Sequence, residues 1–190
     1  MASSRRDNST FRCAKLAWNR SGGLAMKTLE QRLQRLEDVE AIKVLKAEYC
    51  AYCDDHYDPD GIASLFVEHG VWDGGFMGRF EGTEAIRDHF AGVSSIMGFA
   101  IHHVTNPLIN IAEDDLDAAN GQWYLWQPCT QTTRKNTGIW LAARYQETYA
   151  RTGVGWRFVE MIIHPRMFAP YDKGWAEVPF LAGGPRDEDV

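Results

Sequence analysis

Tyr49 and Asp54 stand five residues apart at the end of a long helical pattern, and His102 and Asn106 lie in the extended stretch Phe-Ala-Ile-His-His-Val-Thr-Asn-Pro. An imidazole oriented by a carboxylate is the smallest side-chain set that moves protons near neutral pH without a metal or cofactor. A tyrosine one and a half helical turns before the carboxylate adds an acid or hydrogen-bond donor suited to carbonyl-type substrates. If the fold joins the two segments, the chain is expected to be a small acid–base enzyme.

Other chemistries fit the sequence poorly. His102 and His103 are adjacent in an extended run, so their side chains point to opposite faces and cannot share one metal ion. No third ligand stands at zinc-like spacing, and no metal is expected. Periodicity leaves open which histidine faces inward, because Ala100, His102, Val104 and Asn106 on one side are as apolar as Phe99, Ile101, His103 and Thr105 on the other. The stretch Asp54–Gly61 has the look of a calcium loop, but aligning Gly61 puts His56 and Val67 where carboxylates are required. Cys50-Ala-Tyr-Cys53 matches C-x-x-C, yet reactive pairs occupy helix N-termini and this one falls at a C-terminal end. Two buried structural thiols are expected there. No phosphate-binding glycine loop or nucleophile elbow is present, and no cofactor is expected.

The elements that must position these residues read as helices first and strands second. Residues 28–53 carry Leu29, Leu33, Leu36, Val39, Ile42, Leu45, Tyr49 and Tyr52 at three- and four-residue steps, the pattern of an amphipathic helix that Asp38 is expected to interrupt. Asp58 followed by Pro59 starts a second helix through Ile62, Leu65 and Phe66, ending at His69-Gly70. Val71–Asp73 and Gly78–Phe80 form a short hairpin, and Thr83 opens a third helix to about Val93. Four extended runs follow at 98–112, 118–131, 137–151 and 155–167, rich in Ile, Val, Tyr, Trp and Thr. Their order implies an α+β domain: a strongly curved, mostly antiparallel sheet closed into a cone-shaped barrel by three N-terminal helices, with an apolar cavity inside. Most of the strand aromatics, among them Trp123, Tyr124, Trp126, Trp140, Tyr145, Trp156 and Phe158, are expected in the core.

The chain has 190 residues, 45% apolar and 12% aromatic, which suits one folded domain with a real core. Residues 1–25 carry +4 of formal charge (Arg5, Arg6, Arg12, Lys15 and Arg20 against Asp7), leaving −10 on 26–190 from a total of −6. An acidic body argues against a nucleic-acid partner, since phosphate binding needs clustered Lys and Arg. No apolar run approaches the roughly 20 residues of a membrane span, so no membrane is expected. The expected organisation is a flexible basic extension over 1–25, a domain over 26–170 and a C-terminal tail over 171–190. Four scattered cysteines point to a reducing compartment, and a cytoplasmic location is expected.

Several segments together resemble a known family. Lys46–Asp54, Asp60–Phe66, Gly70–Asp73, Phe80–Arg87, His102–Pro107 and Gly155–Phe158 resemble, in order, the SnoaL-like group of the nuclear transport factor 2-like superfamily. The resemblance spans roughly residues 34–168 and implies the same cone fold. Among its enzymes are scytalone dehydratase, bile-acid dehydratase and hexachlorocyclohexane dehydrochlorinase, which eliminate water or HCl with a His–Asp dyad and no cofactor. Carried over by position, the dyad is His102 as base with Asp54 to orient it, Asp55 being the alternative carboxylate, and Tyr49 as the assisting tyrosine. The H-x-x-x-N spacing to Asn106 selects His102 over His103. Several such lyases carry an arginine in the last strand five residues after the tryptophan, where this chain has Met161.

The resulting expectation is a cofactor-independent lyase or isomerase acting on a small apolar cyclic molecule with a carbonyl or hydroxyl group. Asn106, Trp123 and Met161 are expected at the substrate. The resemblance also implies a homodimer or homotrimer. The alternative is a non-catalytic ligand-binding or assembly module, such as a dioxygenase small-subunit-like protein.

Overall fold

The structure is a computed structural model, and it describes residues 28–181. Helix α1 (Leu29–Asp54) starts at a capping box in which Thr28 and Gln31 satisfy each other's backbone N–H groups. It then runs unbroken through Asp38. That carboxylate is buried at the helix surface and accepts from Arg151 at 2.7 Å, Trp156 at 3.3 Å and Gln34 at 3.2 Å, so its charge anchors the helix instead of ending it. Helix α2 (Pro59–Ser64) begins at the Asp58 cap, as the Asp-Pro pair implies. It stops earlier than its apolar residues suggest, because Phe66–Asp73 form strand β1, pairing parallel with the last strand of the sheet. A long-range strand partner here overrides a local helical pattern.

A 3₁₀ turn at Gly75–Met77 links β1 to β2 (Arg79–Glu81), and helix α3 (Thr83–Ile96) follows. The run expected over 98–112 is two strands, β3 (Met97–Ala100) and β4 (His103–Ile111), both paired with β5 (Ala118–Gln131). Strands β6 (Thr137–Thr152) and β7 (Gly155–Pro170) complete the sheet in the order β2-β1-β7-β6-β5-β3. All neighbours are antiparallel except β1 and β7.

One face of the curled sheet packs on α1 and α3 around a core that includes Ile42, Leu45, Phe66, Ile86, Phe158 and Met161. Alternation along β5 turns Trp123, Leu125, Gln127 and Cys129 inward, while Tyr124 and Trp126 stay outside at 53% and 38% exposure. The outward Trp126 stacks on Trp140 at 5.2 Å between ring centroids.

The C-terminal segment is folded as far as Leu181. Residues 171–181 include helix α4 (Gly174–Glu177) and return to β7, where Phe180 bridges to Phe168 and Leu181 donates its N–H to the Phe168 carbonyl at 2.8 Å. Phe180 and Leu181 pack on the core, a contact that no local periodicity signals. The basic extension over 1–25 and residues 182–190 lie outside the described residues. No described helix is long and apolar enough to cross a membrane.

Candidate active site

Asp54 is the last residue of α1. A carboxylate at a helix C-terminus faces the negative end of the macrodipole, an arrangement worth about 0.3–1 kcal/mol in the wrong direction, and the last turn carries no basic residue to offset it. The compensation comes from His102. Its ring Nδ1 lies 2.7 Å from Asp54 Oδ1, and its backbone N–H donates to the same carboxylate at 3.0 and 3.3 Å.

The backbone donor is available because the sheet releases it. Pro128 on β5 has no N–H to offer, and the pairing of β5 with β3 and β4 lapses opposite it, leaving one bond from Ile101 N–H to the Pro128 carbonyl at 3.2 Å. His102 occupies that gap between β3 and β4, so its N–H turns to Asp54 instead of the ladder. The expected adjacency of two histidines in one continuous strand is thus replaced by a break that fixes His102 from two sides. His103 begins β4 and is exposed.

A cavity of about 280 Å³ lies inside the cone, at the small end of the range for ligand pockets. His102, Tyr49, Tyr57, His89, Gln127, Gln131 and Arg134 supply its polar groups, and Trp72, Phe90, Leu125, Leu141, Ile163 and Phe168 are among its apolar walls. The His102 side chain is 5% exposed, against 31% for Asp54, which lines a second cavity with His56, Tyr57 and Met97–Ile101. The dyad therefore separates the two cavities, histidine inward and carboxylate outward. With Nδ1–H donated to Asp54, Nε2 is the nitrogen left for a ligand.

Burial lowers the pKa of His102 below its ordinary value, and this outweighs the opposing pull of Asp54. The imidazole is held neutral, the form that accepts a proton. Tyr49 is fully buried; its hydroxyl accepts from Trp72 Nε1 at 3.0 Å and is hydrogen-bonded to the Cys53 thiol. Burial raises its pKa well above the usual phenol value, so the side chain stays a neutral phenol. Burial likewise raises the thiol pKa of Cys50 to about 11 and of Cys129 to about 12. All three described cysteines are free and buried, consistent with a structural role for the C-x-x-C pair. Among the described residues no three His, Cys, Asp or Glu side chains converge as a metal site.

His89 and His164 share the direction of His102, each lowered by burial. The unfolded chain then binds more protons than the native one between the depressed native values and about 6.5, so stability rises with pH across that window. Thermal melts are expected to show a loss of stability as pH falls below about 6.5 and a plateau above it. His102→Gln should shrink that acid-side loss; an unchanged profile would count against a buried neutral His102.

Three residues expected at the substrate stand elsewhere. Asn106 is exposed in β4 with φ of 51°, at the bulge between Thr105 and Leu108. Trp123 is buried behind the cavity and donates to the Tyr149 hydroxyl at 3.1 Å. Met161 is fully buried in the core, and Ile163, two residues on, is the β7 residue that reaches the cavity. Asp55 is the exposed C-cap of α1, so the structure joins His102 to Asp54. Tyr57, His89, Gln127, Gln131 and Arg134 also line the cavity, and no sequence motif singles them out. Tyr57 follows the helix in a left-handed conformation (φ 58°), and its ring meets His102 edge-on at 6.1 Å. The inward parity of Gln127 and Gln131 on β5 was the one available signal for those two.

A curled, mostly antiparallel sheet with helices closing its concave face over an apolar cavity is the cone architecture of the nuclear transport factor 2-like proteins. Within it, the family model for the SnoaL-like domain matches residues 34–162, and the chain belongs to that family. Among solved structures, a hexachlorocyclohexane dehydrochlorinase (LinA) type 2 is 24% identical with a TM-score of 0.67, covering 73% of this chain and 92% of its own. The LinA-type3 dehydrochlorinase from Novosphingobium barchaimii LL02 is 24% identical with a TM-score of 0.66, covering 73% and 93%. A candidate scytalone dehydratase from Novosphingobium aromaticivorans DSM 12444 is 20% identical with a TM-score of 0.67, covering 74% and 91%. At these identities the likeness shows the fold. No curated protein matches the chain.

Proposed function

We propose that the protein is a cofactor-independent lyase or isomerase acting on a small apolar cyclic molecule that carries a carbonyl or hydroxyl group. The observation that carries this reading is the 2.7 Å pairing of His102 Nδ1 with Asp54 at the wall of an apolar cavity. Nε2 of His102 takes a proton from carbon α or γ to a carbonyl, and Asp54 stabilises the imidazolium that forms. Tyr49 O–H turns from the Cys53 thiol, a weak acceptor, to polarise the carbonyl or to hydrogen-bond a departing hydroxyl. His102 then returns the proton, to carbon in an isomerisation or to the leaving oxygen in a dehydration. The proteins of this fold named above include a dehydrochlorinase and a candidate dehydratase, which agrees with elimination chemistry. Met161 stands where an arginine would support an anionic leaving group, and this favours hydroxyl over halide departure. A purely ligand-binding or assembly module has no use for a polar pair set into an apolar wall, where it costs free energy unless bonded.

The experiment follows deuterium uptake by 2-tetralone, a two-ring ketone, in D₂O by proton NMR. The protein is expected to accelerate exchange of the protons next to the carbonyl above the buffer rate. No acceleration by folded protein between pH 6 and 8 would sink proton abstraction and leave the binding-module reading.

A further inference from the structure

Gln131 ends β5 at the far side of the cavity from the dyad, and its Oε1 is buried with no hydrogen-bond partner among the described residues. A buried carbonyl oxygen without a donor costs free energy, so a site that keeps one calls for an explanation. Its surroundings hold it still. Gln131 pairs with Met97 on β3 and Thr137 on β6, and the next residue, Thr132, donates to the carbonyls of Ser95 and Ile96 at 2.7 and 2.9 Å. That bond ties the end of β5 to the end of α3. The rim is thus fixed before any ligand arrives, the condition under which a single acceptor discriminates.

The register sets the distance from the chemistry. His103 pairs with Trp126, so His102 lies across from Gln127, four residues before Gln131. At roughly 3.3 Å per residue the two sites stand about 13 Å apart along the strand. A fused two-ring body with a hydrogen bond of about 2.8 Å at each end spans that length. Between the ends the walls are largely apolar, with Leu125, Leu141, Val93 and Phe90, and the amide of Gln127 is already engaged with the Tyr57 hydroxyl at 3.4 Å.

We propose that Gln131 Oε1 is the specificity-determining acceptor for a hydroxyl or N–H on the substrate ring remote from the reacting carbon. This rests on the reading that the reacting end lies at His102, and it concerns binding, not turnover.

The test compares 6-hydroxy-2-tetralone with 2-tetralone by isothermal titration calorimetry. The wild-type protein is expected to bind the hydroxylated ketone about tenfold more tightly, the worth of one hydrogen bond to a buried acceptor. Gln131→Leu should bring the ratio to about one by weakening only the hydroxylated ketone, and Gln131→Glu, which keeps an acceptor, should restore a preference. His102→Ala should keep the wild-type ratio even if deuterium exchange is lost, which separates this inference from the catalytic one. Equal affinities in the wild type, no binding of either ketone, or a preference that survives Gln131→Leu would each overturn it.

Discussion

His102→Ala is expected to slow deuterium uptake into 2-tetralone by roughly 10²–10⁴-fold, the usual worth of a positioned acid–base group. Alanine at this position cannot accept a proton, and nothing else on the wall combines a neutral nitrogen base with an oriented carboxylate. The fold should survive, because α1 and the sheet are joined by the core and by Asp38 with Arg151 and Trp156, not by the dyad. A melting temperature near that of the wild type is therefore part of the expected result. Added imidazole should restore part of the rate, since the cavity vacated is the size of the ring removed. Asp54→Asn keeps a group beside Nδ1 but loses the negative charge that stabilises the imidazolium, and a smaller reduction is expected. In the wild type the rate should rise with pH through the depressed pKa of His102, below about 6.5, and level off above it, because the neutral ring is the active form. Full activity in His102→Ala would refute the dyad, and full activity in Asp54→Asn would show that His102 works without an orienting carboxylate.

Breaking the ion pair between Lys46 and Glu147 should damage stability more than any other single polar change. Their side chains are 1% and 0% exposed, and Lys46 Nζ lies 2.6 Å from Glu147 Oε1. Each is further held: Lys46 Nζ sits 3.2 Å from the centre of the Tyr145 ring, and Glu147 Oε2 accepts from the Tyr149 hydroxyl, which in turn accepts from Trp123. Lys46→Met leaves a carboxylate buried without its cation, at an expected cost of about 3–5 kcal/mol in urea unfolding. The double replacement Lys46→Met with Glu147→Leu removes both charges and should recover most of that loss. A single substitution costing under about 1 kcal/mol, or a double costing the sum of both singles, would show that the pair is not a closed unit.

The two predictions differ in how far the sequence anticipates them. Tyr49, Asp54 and His102 are legible because each sits in a segment whose pattern carries meaning: a helix end, an extended run, a family resemblance. Lys46 and Glu147 are not. A lysine and a glutamate 101 positions apart look like solvated surface residues until α1 is laid across β6. The same holds for Trp123 and Met161, whose types suit a ligand wall but whose strand positions put them behind it. Asn106 marks the family pattern but stands exposed at the bulge of β4, not at the cavity.

Order and type of the elements follow from local chemistry. The capping box at Thr28, the Asp58-Pro59 start of α2, the alternation along β5 to β7 and the intervening turns depend on neighbours a few residues away. Sequence alone therefore determines an α+β chain with helices first, a curved antiparallel sheet after, and an acid–base pair available to it. Tertiary structure decides the rest, because those outcomes depend on groups far apart in the chain. Phe66–Asp73 become a strand only beside β7, and residues 171–181 fold back only because Phe168 offers them a partner. Asp54 becomes an orienting carboxylate only where Pro128 opens the sheet and frees the His102 N–H to reach it.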